Sequence, residues 1–194
     1  MHKARLEAFS DGVLAIIITI MVLDLHIPRS EQLSALAPLL PVFLSYVLSF
    51  VYIGIYWNNH HHMLHAAQRV SGGVLWANLH LLFWLSLLPF VTGWMGENNF
   101  GAVPTALYGT VLMMAGIAYW ILARTLIAAD GRRSILATAI GADRKGVVSV
   151  VLYAVALPLA FVHRLLAQAI FVCVALMWLV PDRRIERVLP PAAE

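Results

Sequence analysis

The chain has 194 residues, 61% hydrophobic and only 12% charged, with 13 basic and 10 acidic side chains for a net charge of +3. A soluble domain carries about 45–50% apolar and about 25% charged residues, so this composition excludes an ordinary water-soluble enzyme or binding module. The mean hydropathy of +0.83 and the isoelectric point near 9.3 fit membrane helices with cationic connections. Nucleic acid is not the implied partner, because the basic residues lie in short stretches between apolar runs.

Six apolar stretches follow one another. The first is predicted over 8–27 and ends at Pro28. No small-residue cleavage site follows it, so it reads as a retained helix and not as a signal peptide. The second is predicted over 36–62, its segment from Leu36 to Trp57 running 22 residues without a charge. The third, over 70–96, has His80 as its one ionisable group, and the fourth, over 98–123, has no charge. The fifth and sixth, over 146–162 and 165–181, are separated by His163-Arg164 and are short. Spanning ~30 Å of hydrocarbon takes ~20 helical residues, so this last pair must borrow flanking residues or form a tight hairpin. Pro158 predicts a kink in the fifth. Cys173, the single cysteine, has no internal partner and reads as a small buried hydrophobe. The longest connection, Arg124 to Lys145, has no room for a soluble domain. The expected fold is therefore all-α, one six-helix transmembrane domain over 1–194.

An even number of spans places both termini on one side of the membrane. Lys3, Arg5, Arg69, Arg124, Arg132, Arg133, Arg144, Lys145, Arg183, Arg184 and Arg187 fall in the tails or in the second and fourth connections, against Arg29 and Arg164 in the others. This bias puts the N- and C-termini in the cytoplasm of a multi-pass protein of the cell membrane.

The first helix differs from the rest. Its start carries Arg5, Glu7, Ser10 and Asp11. One reading of Ser10 and Asp11 is a helix cap, where free amides and the macrodipole favour oxygen and negative charge. Further along, Gly12, Ile16, Thr19 or Ile20, and Leu23 share a stripe at helical spacing, with Asp11 pointing away from it. On its own such a stripe is ordinary lipid contact or packing.

The pattern Arg5-x-x-x-Phe9-Ser10-Asp11 resembles the signature of the transmembrane protein 175 family of potassium-permeable channels. Tyr56-Trp57-Asn58-Asn59-His60-His61-His62-Met63, at the end of the second span, and Asn78 with Leu87-Leu88-Pro89-Phe90, in the third, fit the same family. The resemblance covers the whole chain as one six-helix unit, the prokaryotic form, which implies a homotetramer. It implies a pore formed by the first helix of each subunit, without the re-entrant loop and carbonyl filter of ordinary potassium channels. Val91-Thr92-Gly93-Trp94 is the nearest approach to such a filter and does not match it. No cofactor is implied beyond permeant K⁺ among monovalent cations.

By that resemblance Ile16, Thr19, Ile20 and Leu23 are the pore-lining positions. A ring of isoleucines closes a narrow pore by expelling water, and Ile16 is expected to form the tightest ring. Two readings of Thr19 stand side by side: a hydroxyl that replaces part of an ion's hydration shell, or a bond back to its own helix. Arg5, Phe9, Ser10 and Asp11 are implied to tie the first helix to the second and third, with His60 and Asn78 as candidate partners. An Arg5–Asp11 ion pair within one helix is disfavoured by the spacing. Asp24 is either a cation-attracting group at the outer mouth or an interfacial residue facing water.

His61 and His65, four apart, share a helix face as two metal ligands would, but no Cys or acidic third ligand accompanies them, so no metal site is expected. The histidine cluster is better suited to a pH response. His80 reads either as a functional intramembrane group or as a hydrogen-bonded packing residue. A transporter predicts inverted repeats and acidic residues at mid-membrane, which are not evident. An enzyme predicts a catalytic pair, which is also not evident. A packing scaffold stays open beside the channel.

Overall fold

The computed structural model describes residues 3–28, 30–131, 134–141 and 143–179. Among them are eight α-helices and no strand: α1 (Lys3–Leu23), α2 (Leu40–Ala66), α3 (Gly72–Ser86), α4 (Leu88–Glu97), α5 (Ala102–Asp130), α6 (Ile135–Ile140), α7 (Arg144–Val162) and α8 (Arg164–Leu179). Five stretches are long and apolar enough to cross a membrane, namely α1, residues 33–66, residues 72–97, α5 and α7; α8 is a shorter apolar helix. The expected spans reaching Val180 and Pro181, and the basic residues Arg29, Arg132, Arg133, Arg183, Arg184 and Arg187, lie outside the described residues.

Several boundaries differ from the expected ones for local reasons. The second span opens with a 3₁₀ turn over Leu33–Leu39, and Pro41 then sits in the first turn of α2, where its missing N–H costs nothing. The third span is two helices. α3 stops at Ser86 and α4 restarts at Leu88, with Pro89 in its first turn, because proline can supply no amide to continue the ladder. The fourth starts at Ala102, not at 98: Asn99 and Phe100 take positive φ of 48° and 57° in the reversal after α4. It then runs on to Asp130, so much of the expected Arg124–Lys145 connection is helix. Asp143 accepts the Gly146 amide at 3.1 Å and caps α7, which continues through Pro158 to Val162. α7 and α8 form a hairpin joined by His163 alone. Cys173 is exposed on α8, not buried, since the helix turns Phe171, Val174 and Ala175 inward.

α1 packs against α2, α3 and α4, whereas α5 packs against α3, α4, α7 and α8. Close approach of these apolar rods relies on small residues at the contacts. Ala115, Ala118, Ala123, Ala156, Ala160 and Ala167 are all buried. Several polar groups inside are paired across helices: Ser49 Oγ lies 2.7 Å from Thr92 Oγ1 and 3.0 Å from Tyr108 Oη, joining α2, α4 and α5. Tyr153 donates to Tyr52 at 3.1 Å, and Tyr52 donates to the Phe171 carbonyl at 2.6 Å, joining α7, α2 and α8.

The tightest glycine contact between two helices is at Gly96, where a Cβ would lie 2.5 Å from Ser45 Oγ and 2.7 Å from Val42 Cα. Backbone cannot yield as a side-chain tip can. Gly96→Ala is therefore expected to force α2 and α4 apart at about 1–3 kcal/mol, read as a lower thermal midpoint of the detergent-solubilised protein. An unchanged midpoint would mean that this crossing is looser than described.

Candidate functional site: the first helix and its anchor

α1 is apolar on every side along most of its length, yet its two long faces are treated differently. Leu6, Ser10, Leu14, Ile17 and Met21, spaced by three and four, are buried against the bundle. The opposite stripe has no partner among the described residues: Ile16 is 57% exposed, Ile20 45% and Leu23 80%, with Gly12 and Thr19 exposed on the same stripe. Thr19 Oγ1 donates to the Ile16 carbonyl at 2.8 Å. That bond uses the hydroxyl proton and leaves the oxygen's lone pairs free to face whatever lies beyond the stripe.

The buried face is held by a directional chain of hydrogen bonds. Ser10 Oγ donates to the Leu6 carbonyl at 2.9 Å and accepts from Asn78 Nδ2 at 3.0 Å. Asn78 Oδ1 lies 2.7 Å from His60 Nε2. With the Asn78 amide nitrogen given to Ser10, its oxygen can only accept, so His60 Nε2 carries the proton. All three side chains are buried, at 0%, 0% and 3% exposure for Ser10, Asn78 and His60. One buried asparagine in α3 thus joins α1 to α2, where an unpaired polar group would be costly.

The other signature residues go elsewhere. Asp11 accepts from Trp57 Nε1 at 3.0 Å, so it too ties α1 to α2, but through an indole and not through His60, Asn78 or Arg5. Arg5 is exposed, makes no hydrogen bond or ion pair among the described residues, and with the half-exposed Phe9 continues the outward stripe towards the N-terminus. Trp57 was the partner missed from sequence, although it sits inside the motif that closes the second span. Lys3 was missed as well: its Nζ donates to the His65 and Ala67 carbonyls at 2.9 and 3.0 Å, neutralising the C-terminal end of α2.

The remaining candidates separate cleanly. His61 stacks between Trp57 and His65, with ring centroids 6.3 and 6.1 Å away. The planes of His61 and His65 are only 18° apart, so the two rings stack on each other. Among the described residues no three His, Cys, Asp or Glu side chains converge as a metal site requires. His80 Nε2 accepts from Trp84 Nε1 at 2.9 Å, which makes it a hydrogen-bonded packing residue of α3. Asp24, beside Gly93 of α4, borders an open cavity of about 480 Å³ with Leu23, Trp94 and Glu97. The segment Val91–Trp94 is helical within α4, so its carbonyls are taken by the helix ladder and cannot line a filter.

Residues 5–89, which contain both the stripe and its anchor, match the family described as endosomal/lysosomal potassium channel TMEM175. A potassium channel of Chryseobacterium sp. (strain P1-3) is 50% identical over 189 residues, covering 97% of this chain and 98% of its own. The chain belongs to the TMEM175 family. A crystal structure of a lysosomal potassium-selective channel TMEM175 homologue from Chamaesiphon minutus superposes with a TM-score of 0.81 at 28% identity, over 93% of this chain and 97% of that one. The human endosomal/lysosomal proton channel TMEM175 is 34% identical over 96 residues, 43% of this chain but 19% of its own length. Together with the apolar helices, membership in TMEM175 makes this a multi-pass membrane protein of an ion-channel family.

Proposed function

We propose that the protein is a potassium-permeable cation channel of modest selectivity, a homotetramer of single six-helix units whose pore is lined by α1. The reading is carried by one combination: a membrane helix whose outward face is uncharged from Phe9 to Leu23, in a chain half identical to a potassium channel along 97% of its length. Four copies of α1 turned inward bring Ile16, Thr19, Ile20 and Leu23 together. Rings of Ile16 and Leu23 form an apolar constriction that excludes water when narrow. Thr19, its proton committed to the Ile16 carbonyl, presents oxygen to a cation that has shed part of its water. A larger, more easily dehydrated ion passes such a ring at lower cost, which favours K⁺ over Na⁺ without the steep discrimination of a carbonyl filter. Asp24 and Glu97, close to the outer end of α1, raise the local cation concentration. The bias of basic residues supports placing both termini in the cytoplasm.

The test is cation flux into liposomes containing the purified protein. Potassium is expected to enter faster than sodium, in a ratio well below that of a carbonyl-filter channel. Folded tetramer that passes neither ion in any condition tested overturns the channel reading and leaves a packing scaffold.

A further inference from the structure

We propose that Trp120 and Arg124, on the lipid-facing side of α5, form a binding site for an anionic phospholipid of the cytoplasmic leaflet. α5 has 29 residues and measures ~43 Å at ~1.5 Å per residue, longer than the ~30 Å hydrocarbon core. Its last turns therefore rise through the headgroup layer. Arg124 stands six residues before the helix end at Asp130, at the depth where an arginine leaves hydrocarbon for headgroups, and Trp120 lies one turn deeper, where indoles prefer to sit.

The direction of the pair follows from the neighbours of α5. Thr125 faces α3, its Cγ2 lying 3.5 Å from where a Cβ on Gly73 would be, and Gly116 faces the seam of α2 and α7, 3.8 Å from both Tyr56 Oη and Val150 Cγ2 by the same measure. Tyr119 reaches the Asn59 carbonyl of α2 at 3.3 Å. On a helical wheel Trp120 and Arg124 fall between the α3 and α7 directions, on the side away from α2. Both are exposed, Trp120 by 43%.

The chemistry of the pair suits a phosphate. The Arg124 guanidinium carbon lies 5.4 Å from the Trp120 ring centroid, a cation–π contact that holds the planar fork in place while its N–H groups stay available. No carboxylate pairs with Arg124 among the described residues, and the nearby acid at the helix end, Asp130, is taken by the Gln68 and Arg69 amides at 2.8 and 2.7 Å. An unneutralised guanidinium at the edge of hydrocarbon attracts an anion able to accept two parallel hydrogen bonds. At this depth that anion is a phospholipid headgroup whose acyl chains run down the apolar surface of α5 beside Trp120. The choice of leaflet rests on the cytoplasmic placement proposed above; the binding chemistry does not.

The experiment is native mass spectrometry of the intact detergent-solubilised protein with added phosphatidylglycerol or phosphatidylcholine. Native protein is expected to retain phosphatidylglycerol preferentially, and Arg124→Gln to lose that preference by about fivefold, the scale of one cation at an anionic surface. Arg144→Gln, at another exposed arginine on the same end of the bundle, is expected to keep it. Should Arg124→Gln lower the thermal midpoint in phosphatidylcholine, Trp120→Leu is the second variant and carries the same expectation of loss. Retention unchanged in Arg124→Gln, or reduced equally by Arg144→Gln, overturns the site in favour of general surface charge. Because retention is read without any current, this outcome is separate from the fate of the channel reading.

Discussion

Replacing Ile16 with asparagine is expected to raise potassium flux through the reconstituted protein by about tenfold. Four amides in place of four sec-butyl groups let water stay in the constriction, and lowering the barrier by about 1.4 kcal/mol multiplies the rate tenfold. The substitution is expected to leave the fold alone, because Ile16 is 57% exposed and lies outside the buried face of α1. Its neighbour provides the control. Ile17 is 3% exposed and faces the core, so Ile17→Asn buries an unpaired amide and is expected to lower stability by about 1–3 kcal/mol without raising flux. Greater flux from Ile17→Asn than from Ile16→Asn would show that α1 presents a different face to the pore. Equal, unchanged flux from native protein and Ile16→Asn would remove Ile16 from the constriction altogether.

The second large effect is expected at Asn78. Asn78→Ala removes the amide on which α1, α2 and α3 converge, leaving the His60 Nε2 proton without an acceptor and Ser10 Oγ without its donor. Hydrogen bonds between helices in membranes average ~0.6 and reach ~1.7 kcal/mol, so losing both costs about 1–3 kcal/mol. Ser10→Ala breaks one of the two and is expected to cost less. In a double-mutant cycle the pair should be less than additive, since the Asn78–Ser10 bond is lost in either single variant. The measurement is the thermal midpoint in detergent, paired with flux. A midpoint for Asn78→Ala equal to the native one would mean that the buried chain positions nothing. A lowered midpoint with native flux would make it a staple of the fold and not a support for the pore.

How much of this was legible in the residues alone varies from element to element. The membrane class and the approximate positions of the apolar stretches follow from hydropathy and length, which are properties of consecutive residues. The break at Pro89 was equally local, and a stricter reading of proline would have divided the third span. The reversal at Asn99 and Phe100 was not legible, because neither residue requires positive φ; the chain turns there to lay α5 against α4. Of the site, Ser10, His60 and Asn78 could be named from the resemblance, but the order in which they bond could not. Asp11 finding Trp57 and not Arg5 depends on where α2 places an indole, 46 residues away in the chain.

Sequence by itself determined that this is a bundle of membrane helices, where each apolar stretch lies, and that the polar start of the first one is unlike the others. Only the tertiary structure decided which way that helix faces. In a soluble protein the apolar stripe of a helix announces its buried side, because the other side must be polar. In lipid both sides are apolar, so the pattern of α1 does not distinguish Leu14, Ile17 and Met21 from Ile16, Ile20 and Leu23. The choice is made by contacts that short-range pattern does not encode, the Ser10–Asn78–His60 chain and the Asp11–Trp57 bond, which fix the rotation of α1 and leave the second set outward.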